Sequence, residues 1–216
     1  MKDNFQSVIK IFQKHNGVMK SSQLFKLGVQ PRILYAMRDN GLVLQEGRGL
    51  YRLANEQVWS DPDLAVVSLL IPKGVICLIS ALYFHQITTQ IPHEVYVALP
   101  KDSEKPRIKY PPTRFFWISP EPFQAGIEKH KIDNVSIQVY SVAKTIADCF
   151  KFRNSIGMDV ALEALREGLR QKKATFNEIQ RFAQIDRVEK IMQPYLEALA
   201  GVLKGRTYPH PFIRGF

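Results

Sequence analysis

The chain has 216 residues, of which 45% are hydrophobic and 23% are charged, and this composition indicates a globular protein with one or two domains. Its net charge is +10, and the first 55 residues carry +6 of that charge, from nine basic and three acidic side chains. The other 161 residues carry only +4, from 21 basic and 17 acidic side chains. A basic excess concentrated on a short N-terminal segment is typical of proteins that bind a phosphate backbone.

The apolar segments of the chain exclude a membrane protein. The longest apolar run, at residues 64–71, ends at Pro72 and is shorter than the roughly 18 residues that a membrane helix requires. The N-terminus lacks the apolar segment of a signal peptide. We therefore expect a cytoplasmic protein with no membrane partner. Cys77 and Cys149 each lie in an apolar stretch, and we expect both to be reduced core thiols.

Three short helices are predicted in the first 41 residues. Apolar residues recur at helical spacing up to Asn16-Gly17, which ends the first helix. Ser21 or Ser22 is expected to cap a second helix that ends at Gly28. A third helix begins at Pro31 and ends at Asn40-Gly41. The predicted core positions of these helices are Phe5, Val8, Ile9, Phe12, Leu24, Ile33, Leu34 and Met37.

A β-hairpin is predicted directly after the third helix. Residues 42–46 and 50–53 form two short apolar segments on either side of Gly47-Arg48-Gly49. Three helices, with a turn of about three residues between the second and third, followed by a hairpin with an arginine at its tip, are the plan of a winged helix-turn-helix. Residues 1–55 are therefore predicted to be a DNA-binding domain. The alternative is a winged helix that mediates only protein contacts, and the basic excess argues against it.

The exposed side of the third helix carries the side chains predicted to contact DNA. Arginine can read guanine through two hydrogen bonds in the major groove, while tyrosine hydroxyls more often contact phosphates. Arg48, at the hairpin tip, is placed to reach a phosphate or a narrow minor groove. The predicted DNA-binding residues are Gln30, Arg32, Tyr35, Arg38, Arg48 and Arg52.

Residues 56–204 are predicted to form a larger α+β domain, with strands first and helices after them. A polar connector at residues 55–60 precedes it, and an aromatic, proline-rich tail follows it at residues 205–216. Strands are predicted at residues 94–99, 114–119 and 135–140, with a basic loop at 101–112 between the first two. Helices are expected to be capped by Asp61, Ser80, Ser141, Thr175 and Asp186, and Pro194 to kink or split the last one.

No pattern in the chain predicts catalysis, a cofactor or a metal. The five histidines are scattered and never fall at metal-ligand spacing. There is no glycine-rich phosphate loop and no nucleophile elbow. Glu94 and Asp102 are the nearest approach to the carboxylate cluster of a nuclease, but their spacing matches no specific site. We therefore predict a protein that is not an enzyme.

Five segments resemble the AbiEi family, which are antitoxins and transcriptional regulators of type IV toxin–antitoxin systems in abortive infection and viral defence. The segments are GRGLYRL at 47–53, ISALYFHQIT at 79–88, IPHEVYVALP at 91–100, SVAKTIADCF at 141–150 and GMDVALEAL at 157–165. The resemblance extends from Phe5 to about Gly201. The family usually has Arg where this chain has Lys144, and often Pro where it has Val142.

The resemblance implies a repressor that binds its own promoter, and an antitoxin that opposes a nucleotidyltransferase-like toxin without necessarily contacting it. Basic side chains expected to be exposed and unpaired are the candidate antitoxin surface: Lys101, Lys105, Arg107, Lys109, Lys144, Lys151 and Arg153. Ser141, Thr145 and Asp148 are interpreted as structural residues at a helix start. The alternatives are a winged-helix regulator with no toxin, and a nuclease directed to DNA by its helix-turn-helix.

Overall fold

The computed structural model describes residues 2–56 and 58–203, with side chains described for 4–56 and 58–201. The chain divides into two compact units that alternate along the sequence. Unit 1 comprises Met1–Ile76, Pro92–Ile118 and Ile127–Val139. Unit 2 comprises Cys77–Ile91, Ser119–Gly126 and Tyr140–Phe216. The architecture is mixed α+β with a helical C-terminal region, as predicted. The proposed functional boundary at residue 55 and the role of the 205–216 tail stay predictions, and the tail lies outside the described residues.

Unit 1 begins with six short elements: α1 (Lys2–Lys14), β1 (Val18–Lys20), α2 (Ser21–Lys26), α3 (Pro31–Asp39), β2 (Val43–Gly47) and β3 (Leu50–Leu53). The ends predicted for the first and third helices, before Gly17 and at Asn40, are confirmed. Gly17 has φ +74, in the left-handed region that favours glycine. The predicted serine cap of α2 is wrong: Lys20 is the N-cap residue, and its N–H donates to the Gln23 side chain at 3.1 Å.

The first six elements share one apolar core. Five of the predicted core residues are buried, and the other three pack against them. The buried ones are Val8, Phe12, Leu24, Leu34 and Met37, and the partly buried ones are Phe5, Ile9 and Ile33. The prediction of the N-terminal core is therefore confirmed. The sheet order is β1-β3-β2, and the short strand β1, which was not predicted, pairs antiparallel with β3.

The predicted polar connector is anchored within unit 1. Trp59 is buried, and its Nε1 donates to Asn134 Oδ1 at 3.0 Å. Asn134 Nδ2 in turn donates to the carbonyl oxygen of Asn16, so one amide joins the connector to the turn after α1. Ser60 N donates to Asp133 Oδ2 at 2.8 Å. The segment therefore contributes to the packing of unit 1.

The remaining elements of unit 1 are α4 (Pro62–Leu70) and a five-stranded sheet in the order β6-β5-β4-β8-β7. Its strands are β4 (Val75–Ile76), β5 (Val95–Pro100), β6 (Thr113–Ile118), β7 (Ile127–Ile132) and β8 (Val135–Tyr140). The three predicted strands are confirmed as β5, β6 and β8. β4 was missed because it has two residues, and β7 because Glu128, Lys129 and Lys131 on it are exposed. Asp61 caps α4 as predicted, since it accepts from Leu64 N.

Unit 2 is helical. Its elements are α5 (Leu78–Phe84), α6 (Pro120–Gln124), α7 (Val142–Lys151), α8 (Arg153–Ile156), α9 (Met158–Arg170), α10 (Phe176–Ile185) and α11 (Glu189–Leu203). Ser141 caps α7 and Thr175 caps α10 through a capping box, as predicted. No helix in the part of the chain that the structure describes is long and apolar enough to cross a membrane.

Two predictions for the helix ends of unit 2 are wrong, and one of the two outcomes predicted for Pro194 is excluded. Ser80 lies inside α5, which begins at Leu78 after the extended N-cap residue Cys77. Asp186 does not cap α11, because its carboxylate accepts from the Lys144 ammonium instead. Pro194 does not split α11, which continues to Leu203; whether it bends the helix stays untested. Cys77 and Cys149 are free and buried, as expected for core thiols.

Candidate nucleic-acid interface

Helix α3 has one buried face and one polar face. Leu34 and Met37 are fully buried in the N-terminal core. Pro31 takes the first helical position, where its missing N–H costs no hydrogen bond. The opposite face is exposed, and its side chains are Gln30, Arg32, Tyr35, Arg38 and Asp39. The predicted exposure of the four DNA-contact candidates on this helix is therefore confirmed.

The two arginines of α3 differ in how they are paired. Arg38 donates from Nε and Nη2 to Asp39 Oδ1 at 2.9 and 2.8 Å, and its guanidinium lies 5.4 Å from the Tyr35 ring centroid. The hydrogen bond and charge of Asp39 raise the pKa of Arg38. Arg32 has no ion pair among the described residues. Arg32 therefore presents its full charge to solvent, whereas Arg38 shares its charge with a carboxylate.

The tip of the β2–β3 hairpin carries Arg48. Gly49 adopts φ +71, which allows the tight turn, and its carbonyl oxygen accepts from Ser21 N at 2.7 Å. This bond fixes the hairpin tip against the start of α2. Arg48 is exposed and has no ion pair in the part of the chain that is described. Its side chain is free to meet a ligand that approaches the hairpin.

The prediction that Arg52 contacts DNA is wrong, because this side chain is buried and fully engaged. Its Nε donates to Glu46 Oε1 at 2.7 Å, and its Nη1 donates to the Glu56 carbonyl oxygen at 2.9 Å. The guanidinium also lies 5.6 Å from the Trp59 ring centroid. Only 6% of the residue is exposed. Arg52 therefore joins the hairpin to the segment that follows it.

The basic loop between β5 and β6 has the exposure that the sequence predicted. Its four basic side chains, Lys101, Lys105, Arg107 and Lys109, are all exposed. None of them forms an ion pair with another described residue. The loop is thus a solvated basic segment of unit 1.

The prediction that Lys144 belongs to an exposed surface is wrong. All of α7 from Val142 to Phe150 is buried, and Lys144 has 0% exposure. Its Nζ donates to Asp148 Oδ1 at 2.6 Å and to the two carboxylate oxygens of Asp186 at 3.1 and 3.0 Å. It also lies 4.7 Å from the Tyr140 ring centroid. Lys144 is therefore the centre of a buried ion cluster, which joins α7 to the end of α10.

Two other members of the predicted surface also have partners. Lys151 Nζ lies 3.6 Å from Asp186 Oδ1 and is partly exposed, so it borders the buried cluster. Arg153 Nη1 donates to the Phe150 carbonyl oxygen at 2.8 Å. The expectation that these side chains lack structural partners is therefore wrong, although both remain accessible to solvent. Thr145 Oγ1 donates to the Tyr140 carbonyl oxygen, which agrees with a structural interpretation of the motif.

The buried cluster places one ammonium between two carboxylates, and this arrangement determines its protonation. Burial raises the pKa of Asp148 to about 7, although the Lys144 ammonium opposes the shift. Burial also disfavours the charged form of Lys144, but the two carboxylates outweigh that effect and raise its pKa. Asp148 Oδ2 is buried without a hydrogen-bond partner.

The carboxylates suggested for a nuclease do not form a metal site in the described residues. Glu94 Oε1 lies 3.6 Å from Arg114 Nη1, and Asp102 is exposed in the basic loop. No group of three or more His, Cys, Asp or Glu side chains in the described part of the chain could hold a metal ion.

No protein-family model and no curated protein matches this chain. The resemblance of its motifs to the AbiEi family therefore stays a prediction.

Asp186 is the residue of the buried cluster that the sequence did not indicate, because it lies 42 residues from Lys144 in the chain. Asp148, by contrast, could have been paired with Lys144 from its position one helical turn later.

The Asp148 carboxyl should make the free energy of unfolding depend on pH. Its pKa is about 7 in the folded chain, whereas a solvent-exposed aspartate, as in the unfolded chain, has a pKa of 3.8. Between these two pH values the folded protein therefore retains a proton that the unfolded chain has lost. Its contribution to stability is therefore full below about pH 4 and decreases as the pH rises to about 7. Asp148→Asn removes this titration, because an asparagine side chain does not ionise. We expect the stability of the wild type, relative to this variant, to fall by up to about 1.4 kcal/mol per pH unit in that window.

Urea denaturation between pH 4 and pH 7.5 measures this difference. Asp102→Asn serves as the control, because it removes an exposed carboxylate from the basic loop. We expect its pH profile to run parallel to that of the wild type. Parallel profiles for Asp148→Asn and the wild type would show that Asp148 is ionised throughout the window and that the cluster retains no proton.

Proposed function

We propose that residues 1–55 are a winged helix-turn-helix that binds double-stranded DNA. The observation that carries the proposal is the polar face of α3, which leaves Gln30, Arg32 and Tyr35 exposed on a segment of net charge +6. The order of the six N-terminal elements and the small sheet β1-β3-β2 support it. In this proposal α3 enters the major groove, and the hairpin lies along the adjacent backbone.

The contact residues have different roles in this proposal. Arg32 and Gln30, at the start of α3, read base edges, because recognition helices use their N-terminal residues for that purpose. Tyr35 and Arg38 contact phosphates, and Arg38 must share its charge with Asp39 while doing so. Arg48 reaches a phosphate or the minor groove. The proposed DNA is the protein's own promoter, and the proposed outcome is repression.

The second half of the proposal follows the AbiEi resemblance. The protein acts as the antitoxin of a type IV system and opposes a nucleotidyltransferase-like toxin, with or without direct contact. The surface proposed for that activity keeps Lys101, Lys105, Arg107 and Lys109, which are exposed and unpaired among the described residues. Lys151 and Arg153, which lie in unit 2, are kept as a separate and partly accessible candidate, and Lys144 is removed because it is buried.

Alanine substitutions of Arg32 and Arg48 should affect DNA binding differently. Arg32→Ala should weaken promoter binding by about 1–3 kcal/mol and relax the preference at one base pair, because it removes a base contact. Arg48→Ala should weaken binding to promoter and random duplexes alike. It should also reduce the slope of log affinity against log salt by about 0.9, the value for one lost phosphate contact. Fluorescence anisotropy with both duplexes over a range of salt concentrations measures these effects.

Arg166→Ala is the control for these variants, since Arg166 is an exposed arginine on α9. It should leave both affinities unchanged. If Arg32→Ala and Arg166→Ala bind the promoter equally well, then α3 is not the recognition helix. If Arg32→Ala weakens specific and random duplexes to the same extent, its assignment as a base contact is wrong.

Repression and antitoxicity should be separable in the full-length chain. The Arg32→Ala/Arg48→Ala variant, expressed from a foreign promoter, should rescue cells from the toxin encoded beside this gene but should not repress the native promoter. Lys105→Glu/Arg107→Glu should show the opposite behaviour. The full chain is used because Asn134 is bound to Asn16 and Arg52 is bound to Glu56, so a cut at residue 55 would break contacts within unit 1.

Growth on co-expression and a promoter–reporter fusion measure the two activities in the same cells. Loss of rescue by the Arg32→Ala/Arg48→Ala variant would show that antitoxicity depends on DNA binding. Repression without rescue by the wild-type chain would instead favour the alternative regulator, which has no toxin partner.

A further inference from the structure

Strand β6 lies at one end of the five-stranded sheet and has aromatic side chains on both faces. Successive residues of a strand point to opposite faces, so Phe115 and Trp117 lie on one face and Phe116 on the other. Phe116 is buried and stacks on Tyr96, with ring centroids 5.7 Å apart and an interplanar angle of 16°. Arg114 covers both rings, with its guanidinium 5.5 and 5.8 Å from their centroids. This inner aromatic group is part of the packing of unit 1.

The outer face of β6 presents aromatic rings to solvent. Trp117 is 41% exposed and Phe115 is partly exposed, with ring centroids 6.3 Å apart. Tyr110, just before the strand, is 61% exposed. Exposed large aromatic side chains that lie close together are uncommon on protein surfaces and mark binding sites.

The basic loop is held beside these rings. The indole Nε1 of Trp117 donates to the Ser103 carbonyl oxygen at 3.0 Å, and Ser103 Oγ donates to the Pro100 carbonyl oxygen at 2.7 Å. Lys101 and Lys105 lie two residues on either side of Ser103. The same hydrogen bond fixes the orientation of the indole ring and the path of the loop. The aromatic face and the basic side chains are therefore parts of one surface.

The charge of this surface favours an anionic ligand. Residues 101–117 contain five basic and two acidic side chains. Arg114 lies near Glu94, at 3.6 Å, but the four basic side chains of the loop have no ion pair among the described residues. A ligand that fits must supply negative charge to the loop and flat, stackable groups to Trp117 and Phe115. Phosphates joined to unpaired bases supply both.

The geometry points to a binding site for single-stranded nucleic acid on β6, formed by Phe115 and Trp117 together with the basic loop at 101–109. Unpaired bases stack on the exposed rings, and the lysines and Arg107 contact the phosphates. A duplex does not fit, because its bases are already stacked on one another and present only their edges. The inference is independent of the duplex-binding proposal, which concerns residues 1–55, and assigns a ligand to the basic loop.

Binding is tested with the full-length Arg32→Ala/Arg48→Ala protein, so that the proposed duplex-binding residues do not contribute. The probes are an oligouridine and an oligothymidine of about 12 nucleotides, within the range that such sites cover, and a duplex of the same length. Anisotropy gives the affinity, and tryptophan fluorescence reports stacking. Trp59, which is buried, is the only other tryptophan in the chain. We expect both single strands to bind and to quench the fluorescence, while the duplex binds more weakly.

Substitutions in the same background assign the binding to this surface. Trp117→Ala should weaken oligouridine binding at least about 5-fold, and Trp117→Phe should retain most of the affinity because it keeps a ring for stacking. Lys105→Glu/Arg107→Glu should weaken binding and lower the salt slope by about 0.7 for each lost phosphate contact. Tyr83→Ala is the control, because Tyr83 is exposed to a similar extent but lies on α5 in unit 2.

The outcomes separate this inference from the competing occupants of the same surface. Absence of single-strand binding, equal affinity of Trp117→Ala and Tyr83→Ala, or tighter binding of the duplex would overturn it. A change from dimer to monomer in Trp117→Ala, with oligonucleotide binding unaltered, would show that β6 contacts a second copy and would also overturn it. Because the background lacks Arg32 and Arg48, none of these results bears on duplex binding by α3. Preference for oligouridine over oligothymidine would identify RNA as the source of the strand.

Discussion

The ammonium of Lys144, shared by two buried carboxylates, is the interaction on which the helical unit depends. Helix α7 is buried along almost its whole length, so a charge placed on it has no access to water. Asp148, on the same helix, and Asp186, at the end of α10, supply the hydrogen bonds that make the burial tolerable. Gly126 lets the chain approach closely, because a Cβ there would lie 2.7 Å from that of Lys144. Removing the Lys144 ammonium would leave buried carboxylates uncompensated in the core, at a cost of about 3–5 kcal/mol.

The arginines of the N-terminal segment fall into two groups. Some form ion pairs within the protein, and the others are free to bind a ligand. Arg52 is buried in contacts with Glu46 and the Glu56 backbone, so it stabilises the hairpin. Arg38 is exposed but shares its charge with Asp39. Arg32 and Arg48 are exposed and unpaired among the described residues. The net charge of +6 already counts these two ion pairs as neutral, and the two unpaired arginines are the positions on which the DNA-binding proposal mainly rests.

The sequence predicted those features that local rules determine. Helical periodicity identified the N-terminal core, and the capping patterns at Asp61, Ser141 and Thr175 located three helix starts correctly. It failed where distant residues decide the outcome. Asp186 has the sequence context of a helix cap, but its carboxylate instead accepts a hydrogen bond from Lys144, which lies 42 residues away in the sequence. Arg52 and Lys144 were expected on the surface because charged side chains usually are exposed, and only the folded packing reveals their partners.

The affinity of Asp39→Asn for the promoter duplex tests most directly whether α3 faces DNA. Asp39 lies at the end of α3, where a negative charge is unfavourable to the helix, so the substitution should not impair folding. It frees Arg38 and removes repulsion of phosphates, and the affinity should rise roughly 3- to 10-fold. Glu121→Gln changes the net charge equally at an exposed residue of α6, outside the proposed interface, and should have little effect. Equal affinities of the two variants, or weaker binding by Asp39→Asn, would contradict the account.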